Sequence, residues 1–310
     1  MFDERQVAVV VPAYNEEQLI TTTIQGIPDY VDHVIVVDDC STDGTLEAAR
    51  SVAGDRVRVE HLPENQGVGA AIVHGHRVAM DLGADIMVVM AGDDQMDPDA
   101  LPKLLKPLTQ EHYGFAKGNR FFSTSSLAGM PRHRVAGSMI LTFLNKAASG
   151  YWHLVDPQNG YTAVTREALE LVPLDKVSKR YEFENDLLIW LNISNVRAID
   201  VPIPARYGLE QSTIKLRTVV PRLSWSLFTG FWRRIWYKYV FWSFSPIALL
   251  LFTGLLCLLV GIGVGLWATY EAFQGNSPTA GTTVLSLIPF MCGFILLVQA
   301  FVLDIMESPD

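Results

Sequence analysis

Short apolar runs alternate with longer, mixed stretches through the first third of the chain. Residues 7–11 (VAVVV), 34–37 (VIVV), 57–61 (VRVEH) and 86–90 (IMVVM) have the length and β-branched content of strands. Residues 16–26, 45–53 and 68–82 lie between them and read as helices. Strands alternating with helices predict an α/β fold, a mostly parallel sheet covered on both faces. A different pattern takes over after Ser245. Residues 247–268 and 282–303 carry no charge, and each is roughly 20 residues long, enough to cross about 30 Å of hydrocarbon. Both are read as transmembrane helices. The stretch before them, RLSWSLFTGFWRRIWYKYVFWSF (222–244), mixes Trp, Tyr, Arg and Lys as helices in a headgroup layer do. The pattern predicts three parts: a domain over 1–216, juxtamembrane helices over 217–244, and a two-helix anchor over 245–310.

In parallel α/β sheets, ligands bind beyond the carboxyl ends of the strands. Those ends here read PAYNEE, DDCSTDGT and AGDDQMDP, so polar and acidic groups converge on one crevice. Some of these residues have structural alternatives. Ser41 or Thr42 either caps the helix that follows or faces the crevice. Asp97 before Pro98 has the pattern of an N-cap. The glycines of NQGVG (65–69) serve either a phosphate or close packing. Asp93 and Asp94 are harder to explain structurally, because a capped turn needs one carboxylate and adjacent carboxylates repel. A Mg²⁺ or Mn²⁺ ion offsets that repulsion, and Mg²⁺ takes one or two carboxylates together with substrate phosphates. Gln95 offers a neutral oxygen two residues beyond Asp93. The residues alone therefore describe a nucleotide-using domain on a membrane anchor.

Charge and cysteine content refine this reading. A net charge of −9 argues against nucleic acid as a partner. Cys40, Cys257 and Cys292 form neither a metal spacing nor a disulfide framework. The N-terminal residues lack a basic region followed by an apolar one, so no signal peptide is expected. Arg222, Arg233, Arg234 and Lys238 precede the first span, and the loop 271–281 has no Lys or Arg. The positive-inside rule then puts the domain and both termini in the cytoplasm of an integral membrane protein.

The segments VVVPAYNEE, VIVVDDCSTDGT, NQGVGAAIVHGHRVA, AGDDQMDP, GNRF and DPQNGY follow one another as they do in family 2 glycosyltransferases of the GT-A (Rossmann-like) fold. Over residues 7–215 the chain resembles polyprenyl-phosphate glycosyltransferases of the dolichyl-phosphate mannose synthase type. The resemblance implies that Pro12, Tyr14 and Glu16 line a nucleotide pocket, with Val37 and Asp39 at the base and ribose. It implies a metal, Mg²⁺ or Mn²⁺, on Asp93 and Gln95. The family usually has Asp-x-Asp here, and Ala91 stands in place of the first Asp. Arg120 in GNRF and Arg132 or Arg134 in RHRVAGS match arginines that hold phosphates. Asp156 matches an acidic active-site position. Arg206, Ser212 and Lys215 resemble a loop that closes on the diphosphate and the acceptor, with Ser212 and Lys215 on the acceptor side.

The implied reaction is inverting transfer of a hexose from a UDP- or GDP-linked sugar to a dolichyl or undecaprenyl phosphate at the cytoplasmic face of a prokaryotic cell membrane. A phosphate acceptor is already ionised and needs no general base, so His74, His76, His133 and His153 are expected to be structural or solvent-facing. Two rivals are carried. One is transfer to a lipid or glycan hydroxyl with Glu184 or Asp186 as base. The other is a non-catalytic subunit that binds a nucleotide sugar. Sugar, nucleotide, polyprenol length and oligomeric state, a homo-oligomer included, are left open by the sequence.

Overall fold

The computed structural model describes residues 1–120, 132–156, 159–204, 216–241 and 244–310, with the side chains of 132–138, 140 and 216–220 excepted. The chain divides into two compact units, Met1–Phe231 with Pro309–Asp310, and Trp232–Ser308.

The first unit is built on seven strands: β1 (Val7–Ala13), β2 (His33–Asp38), β3 (Val57–His61), β4 (Ile86–Val89), β5 (Phe115–Asn119), β6 (Thr162–Thr165) and β7 (Ala198–Pro202). Their order in the sheet is β3-β2-β1-β4-β6-β5-β7. β1, β2, β3 and β4 run parallel, as do β5 and β7, while β6 is antiparallel to both of its neighbours. β1 is buried at every position, which is why its run of valines does not alternate. Val7, Val9 and Val11 meet Ile20, Ile24 and Leu104 in the main core.

The helices of this unit are α1 (Ile20–Gly26), α2 (Thr45–Ser51), α3 (Val68–Asp81), α4 (Leu101–Gln110), α5 (Arg132–Ser149), α6 (Arg166–Glu170), α7 (Phe183–Ile193) and α8 (Leu216–Arg234), the last running three residues into the second unit. α1 begins four residues later than the sequence pattern suggests. Asn15 is left-handed at φ 59°, and the Glu16 and Glu17 amides donate to the side chains of Thr45 and Asp43 instead of entering a helix.

Strand order reverses direction at β1, with β2 on one side and β4 on the other. Such a switch point opens a crevice at the strands' carboxyl ends. It also sets Pro12 beside Gly92, whose amide donates to the Pro12 carbonyl at 3.2 Å.

The second unit holds a π-helical segment (Ile235–Phe241), α9 (Pro246–Phe273) and α10 (Ala280–Met306). α9 and α10 have 28 and 27 residues, about 40 Å at 1.5 Å per residue, and are long and apolar enough to cross a membrane. They pack closely because small residues face each other: a Cβ on Gly293 would lie 2.7 Å from the Gly254 carbonyl oxygen. Leu256, Leu259, Leu266, Leu287 and Phe294 point away from the protein. Within this unit Arg234 is fully buried and grips Asp304 with two hydrogen bonds, at 2.6 and 2.9 Å. The Tyr239 hydroxyl donates to the same carboxylate at 2.7 Å.

Candidate active site

The site starts from two aspartates at the end of β2 that do different work. Asp38 is fully buried; it accepts from the Ser41 amide and sits 2.7 Å from His61 Nδ1, so it ties β2 to β3. Asp39 reaches forward and accepts from the amides of Gln66 and Gly67, both at 2.8 Å. These two bonds fasten the start of α3 to the end of β2. Gly67 adopts φ +99°, and a Cβ there would sit 2.7 Å from the Lys179 carbonyl oxygen. Gly69 meets the Ser178 carbonyl in the same way. Close packing is thus the task of both glycines. Ser41 and Thr42 do not cap α2. They bind Asn15, the Ser41 hydroxyl accepting from its amide and the Thr42 amide donating to its side chain, and so join the ends of β1 and β2.

A cleft of about 650 Å³ opens above this frame, lined by Pro12, Ala13, Tyr14, Asp39, Asn65, Gly67, Val68, Ala71, Arg180, Tyr181 and Arg222. Of the sequence-predicted nucleotide residues, Pro12, Tyr14 and Asp39 lie in it. Val37 does not: its side chain is fully buried in the sheet. Glu16 lies outside the lining too, with its amide on the Thr45 hydroxyl. Arg206, Ser212 and Lys215 lie outside the described residues. Arg132 and Arg134 begin α5, and their side chains are likewise outside the described ones.

The acidic turn follows β4. Asp93 accepts from the Gln95 amide at 3.1 Å, and Asp94 is left-handed at φ 54°. Burial, and then the Asp94 charge, push the Asp93 carboxyl up from the usual carboxylate range. A cation relieves both effects. Among the described residues no group of three His, Cys, Asp or Glu side chains gathers as a ready cage. The donor set, one half-buried carboxylate with an amide side chain and a second carboxylate nearby, fits a divalent ion that completes its shell with substrate phosphates. Asp97 caps the next turn as its sequence pattern suggests, accepting from the Asp99 amide.

Beyond the turn, Arg120 at the end of β5 is held by the buried Asp156. Its Nε and Nη2 donate to the two carboxylate oxygens at 2.9 and 3.2 Å, and its amide donates at 3.3 Å. The two residues that resemblance put at the site are therefore partners of each other. The structure adds residues that sequence reasoning passed over. Lys117 is fully buried and donates to the Asn159 carbonyl. Arg180 and Tyr181 line the cleft, and so does Arg222, which bridges to Glu182 at 2.7 Å. The sequence pattern marked Arg222 only as a charge flanking the membrane.

The two carboxylates of the hydroxyl-acceptor rival separate. Asp186 is buried and accepts from the Ser178 amide at 2.8 Å, a structural anchor for the 178–180 turn over Gly67. Glu184 lies near Gly160, and burial raises its carboxyl while Lys117 opposes the rise. Three of the four histidines expected to be structural or solvent-facing are described, and the side chain of His133 lies outside the described ones. His76 is buried and lowered to about 4 by desolvation. His74 pairs with Glu60, and His153 bonds the Ala198 carbonyl.

With this geometry in hand, comparison with known proteins is informative. The family model for glycosyl transferase family 2 matches residues 8–172. A UDP-N-acetylglucosamine–dolichyl-phosphate N-acetylglucosaminyltransferase of Methanococcus voltae is 27% identical over 220 residues, covering 66% of this chain and 87% of that protein. A polyprenol monophosphomannose synthase of Mycolicibacterium smegmatis is 32% identical over 209 residues, covering 63% and 75%. Among solved structures, a glucosyl-3-phosphoglycerate synthase of Mycobacterium tuberculosis, in complex with Mn²⁺, UDP-glucose and phosphoglyceric acid, superposes with a TM-score of 0.54 at 24% identity, over 74% of this chain and 80% of that one. That likeness bears on the fold alone.

Proposed function

The chain belongs to glycosyl transferase family 2, and from that premise we propose that it transfers a hexose from a UDP- or GDP-linked sugar to a polyprenyl phosphate, with inversion, at the cytoplasmic face of a membrane. One observation carries the choice of acceptor: a family 2 domain is joined in one chain to two helices long and apolar enough to cross a bilayer. A lipid acceptor is confined where such an anchor holds the enzyme. Relatives that act on dolichyl and polyprenol phosphates support the phosphate.

The nucleotide lies in the cleft between Tyr14 and the Asp39-fastened turn at the start of α3. Asp93 and Gln95 would hold Mg²⁺ or Mn²⁺ against the diphosphate, where the ion supplies positive charge to the leaving group. Arg120, oriented by Asp156, adds a fixed donor on the same side. The acceptor phosphate is already an anion at neutral pH, so no side chain need take a proton from it. Its charge must be offset as it nears the anomeric carbon. Arg134 serves this role with Lys215, and Arg132 and Ser212 complete the acceptor side. Arg206 closes on the diphosphate. The bias of Arg and Lys before α9 and their absence from 271–281 support a topology with both termini in the cytoplasm.

A second reading is favoured by one observation, the raised carboxyl of Glu184, which suits a general base for a hydroxyl acceptor. One experiment separates the two. Arg134→Ala should lower transfer to polyprenyl phosphate roughly 10- to 150-fold, the value of one charge-assisted hydrogen bond, and leave nucleotide binding intact. Glu184→Gln should be much milder. The reverse pattern would assign a hydroxyl acceptor.

A further inference from the structure

β5 and the edge strand β7 bring a lysine and an aspartate side by side. Lys117 and Asp200 are register partners in this parallel pair, so their side chains leave the same face. Lys117 donates to the carbonyl of Asn159. The Asn159 amide group donates back to the Gly118 carbonyl at 2.8 Å, and its Oδ1 accepts from the Tyr161 amide. Asp200 accepts from the Val155 amide at 2.7 Å and from Asn119 Nδ2 at 2.9 Å. Its other oxygen is buried with no hydrogen-bond partner among the described residues. Between Val155 and Asn159 stands Asp156, the carboxylate that grips Arg120.

We propose that Lys117 and Asp200 are positioning residues: facing each other as register partners on β5 and β7 and each bonded to the backbone beside it, they fix the chain on either side of Asp156 and thereby aim the Arg120 guanidinium at the leaving diphosphate. The inference rests on the transferase reading above for the role of Arg120. The pairing itself does not depend on which acceptor is used.

The surrounding charges make the arrangement sensitive to pH. Lys117 faces Glu184 from α7, Asp156 from the chain before β6, Asp200 from β7 and Arg120 from the end of its own strand. Asp200 faces Lys117 and Asp156, and also Lys146 of α5, whose ammonium donates to the Trp152 carbonyl. Burial raises the Asp200 carboxyl to about 6, against the pull of its hydrogen bonds and of Lys117. The carboxylate that holds Val155 is thus present above about pH 6 and lost as the pH falls through that value. Removing the Lys117 charge raises the midpoint further, so the loss must begin at higher pH.

The test is the pH dependence of kcat for the full chain, in wild type, Lys117→Met and Asp200→Asn. Wild type should lose activity with an acid-limb midpoint near 6. Lys117→Met should move that limb up by about one pH unit and lower kcat roughly tenfold at neutral pH. Asp200→Asn, nearly isosteric, should remove the limb altogether. A merely structural role would lower the rate without moving the limb. A folded Lys117→Met with an unmoved limb, or an Asp200→Asn that keeps the wild-type profile, overturns the proposal. A parallel measurement follows the ¹³C-labelled Asp200 carboxyl by NMR with and without Lys117→Met. If polyprenyl phosphate proves not to be the acceptor, the phosphate-acceptor reading fails while this titration still decides the coupling of Lys117 and Asp200. An Asp200 midpoint unchanged by Lys117→Met refutes it. Should Lys117→Met fail to fold, Asp200→Asn and the wild-type midpoint carry the test.

Discussion

Asp39→Asn isolates the bond pair that shapes the cleft proposed to hold the nucleotide. The carboxylate is buried and accepts from two backbone amides, each at 2.8 Å. Asparagine keeps one acceptor oxygen and replaces the other with a donor, so one of the two amides faces an N–H. Each charge-assisted bond contributes about 1.5–3 kcal/mol, and an orphaned buried donor costs about 1–3 kcal/mol. With one neutral bond retained, the net loss is about 2–4 kcal/mol. This is within the roughly 5–15 kcal/mol stability of a domain, so the variant still folds. A unit of this size should show a Tm lower by on the order of 5–10 °C. The loss is local first. Hydrogen exchange at Gln66 and Gly67 should accelerate at least tenfold while the amides of β1 keep their protection. Nucleoside diphosphate affinity, measured by calorimetry, should fall at least tenfold because the start of α3 no longer holds its place beside Tyr14. Unchanged exchange at Gln66 and Gly67 would refute the account, whatever happens to activity.

Two further outcomes follow from the same structure. Asp93→Asn keeps shape and removes the charge proposed to hold a metal against the diphosphate, so sugar transfer should nearly vanish even at saturating Mn²⁺; near-normal turnover would remove Asp93 from the proposed metal site. Asn276→Cys, after Cys40, Cys257 and Cys292 are replaced by alanine, should react with a membrane-impermeant thiol reagent in intact cells whose envelope admits it; labelling only after lysis would overturn the two-span topology.

The half of the sheet that carries the nucleotide cleft was legible because its strands are apolar runs with one meaning. β1, β2 and β4 are built largely from Val, Ile and Met and are buried on both faces, while β3, at the sheet edge, reads from its β-branched VRV run. β5, β6 and β7 were not legible, and the reason is physical. FAKGN holds Lys117 and Asn119 at buried positions, AIDVP holds Asp200 half-buried, and TAVT has four residues. Local pattern reads such residues as exposed, because their partners stand 42 to 81 positions away. The site divides the same way. Pro12, Tyr14, Asp39 and Asp93 sit directly at ends of legible strands. Arg180 and Arg222 reach the cleft from segments whose own patterns speak of a turn and of a membrane-flanking helix. Val37 is a different case: its motif position belongs to the family pattern while its side chain belongs to the core.

The buried Arg234–Asp304 pair decides where this protein can be cut. A chain shortened after α9 keeps the guanidinium and discards the carboxylate that neutralises it, and a buried pair deprived of one partner loses about 3–5 kcal/mol. Such a fragment should aggregate, even though the apolar helix it lacks would seem a gain in solubility. A chain ending at Phe231, the last residue of the first unit before Trp232, gives up both charges together and retains the Arg222–Glu182 bridge at the cleft. The most useful boundary for a detachable, water-soluble transferase is therefore set by an ion pair, some fifteen residues before hydrophobicity alone would draw it.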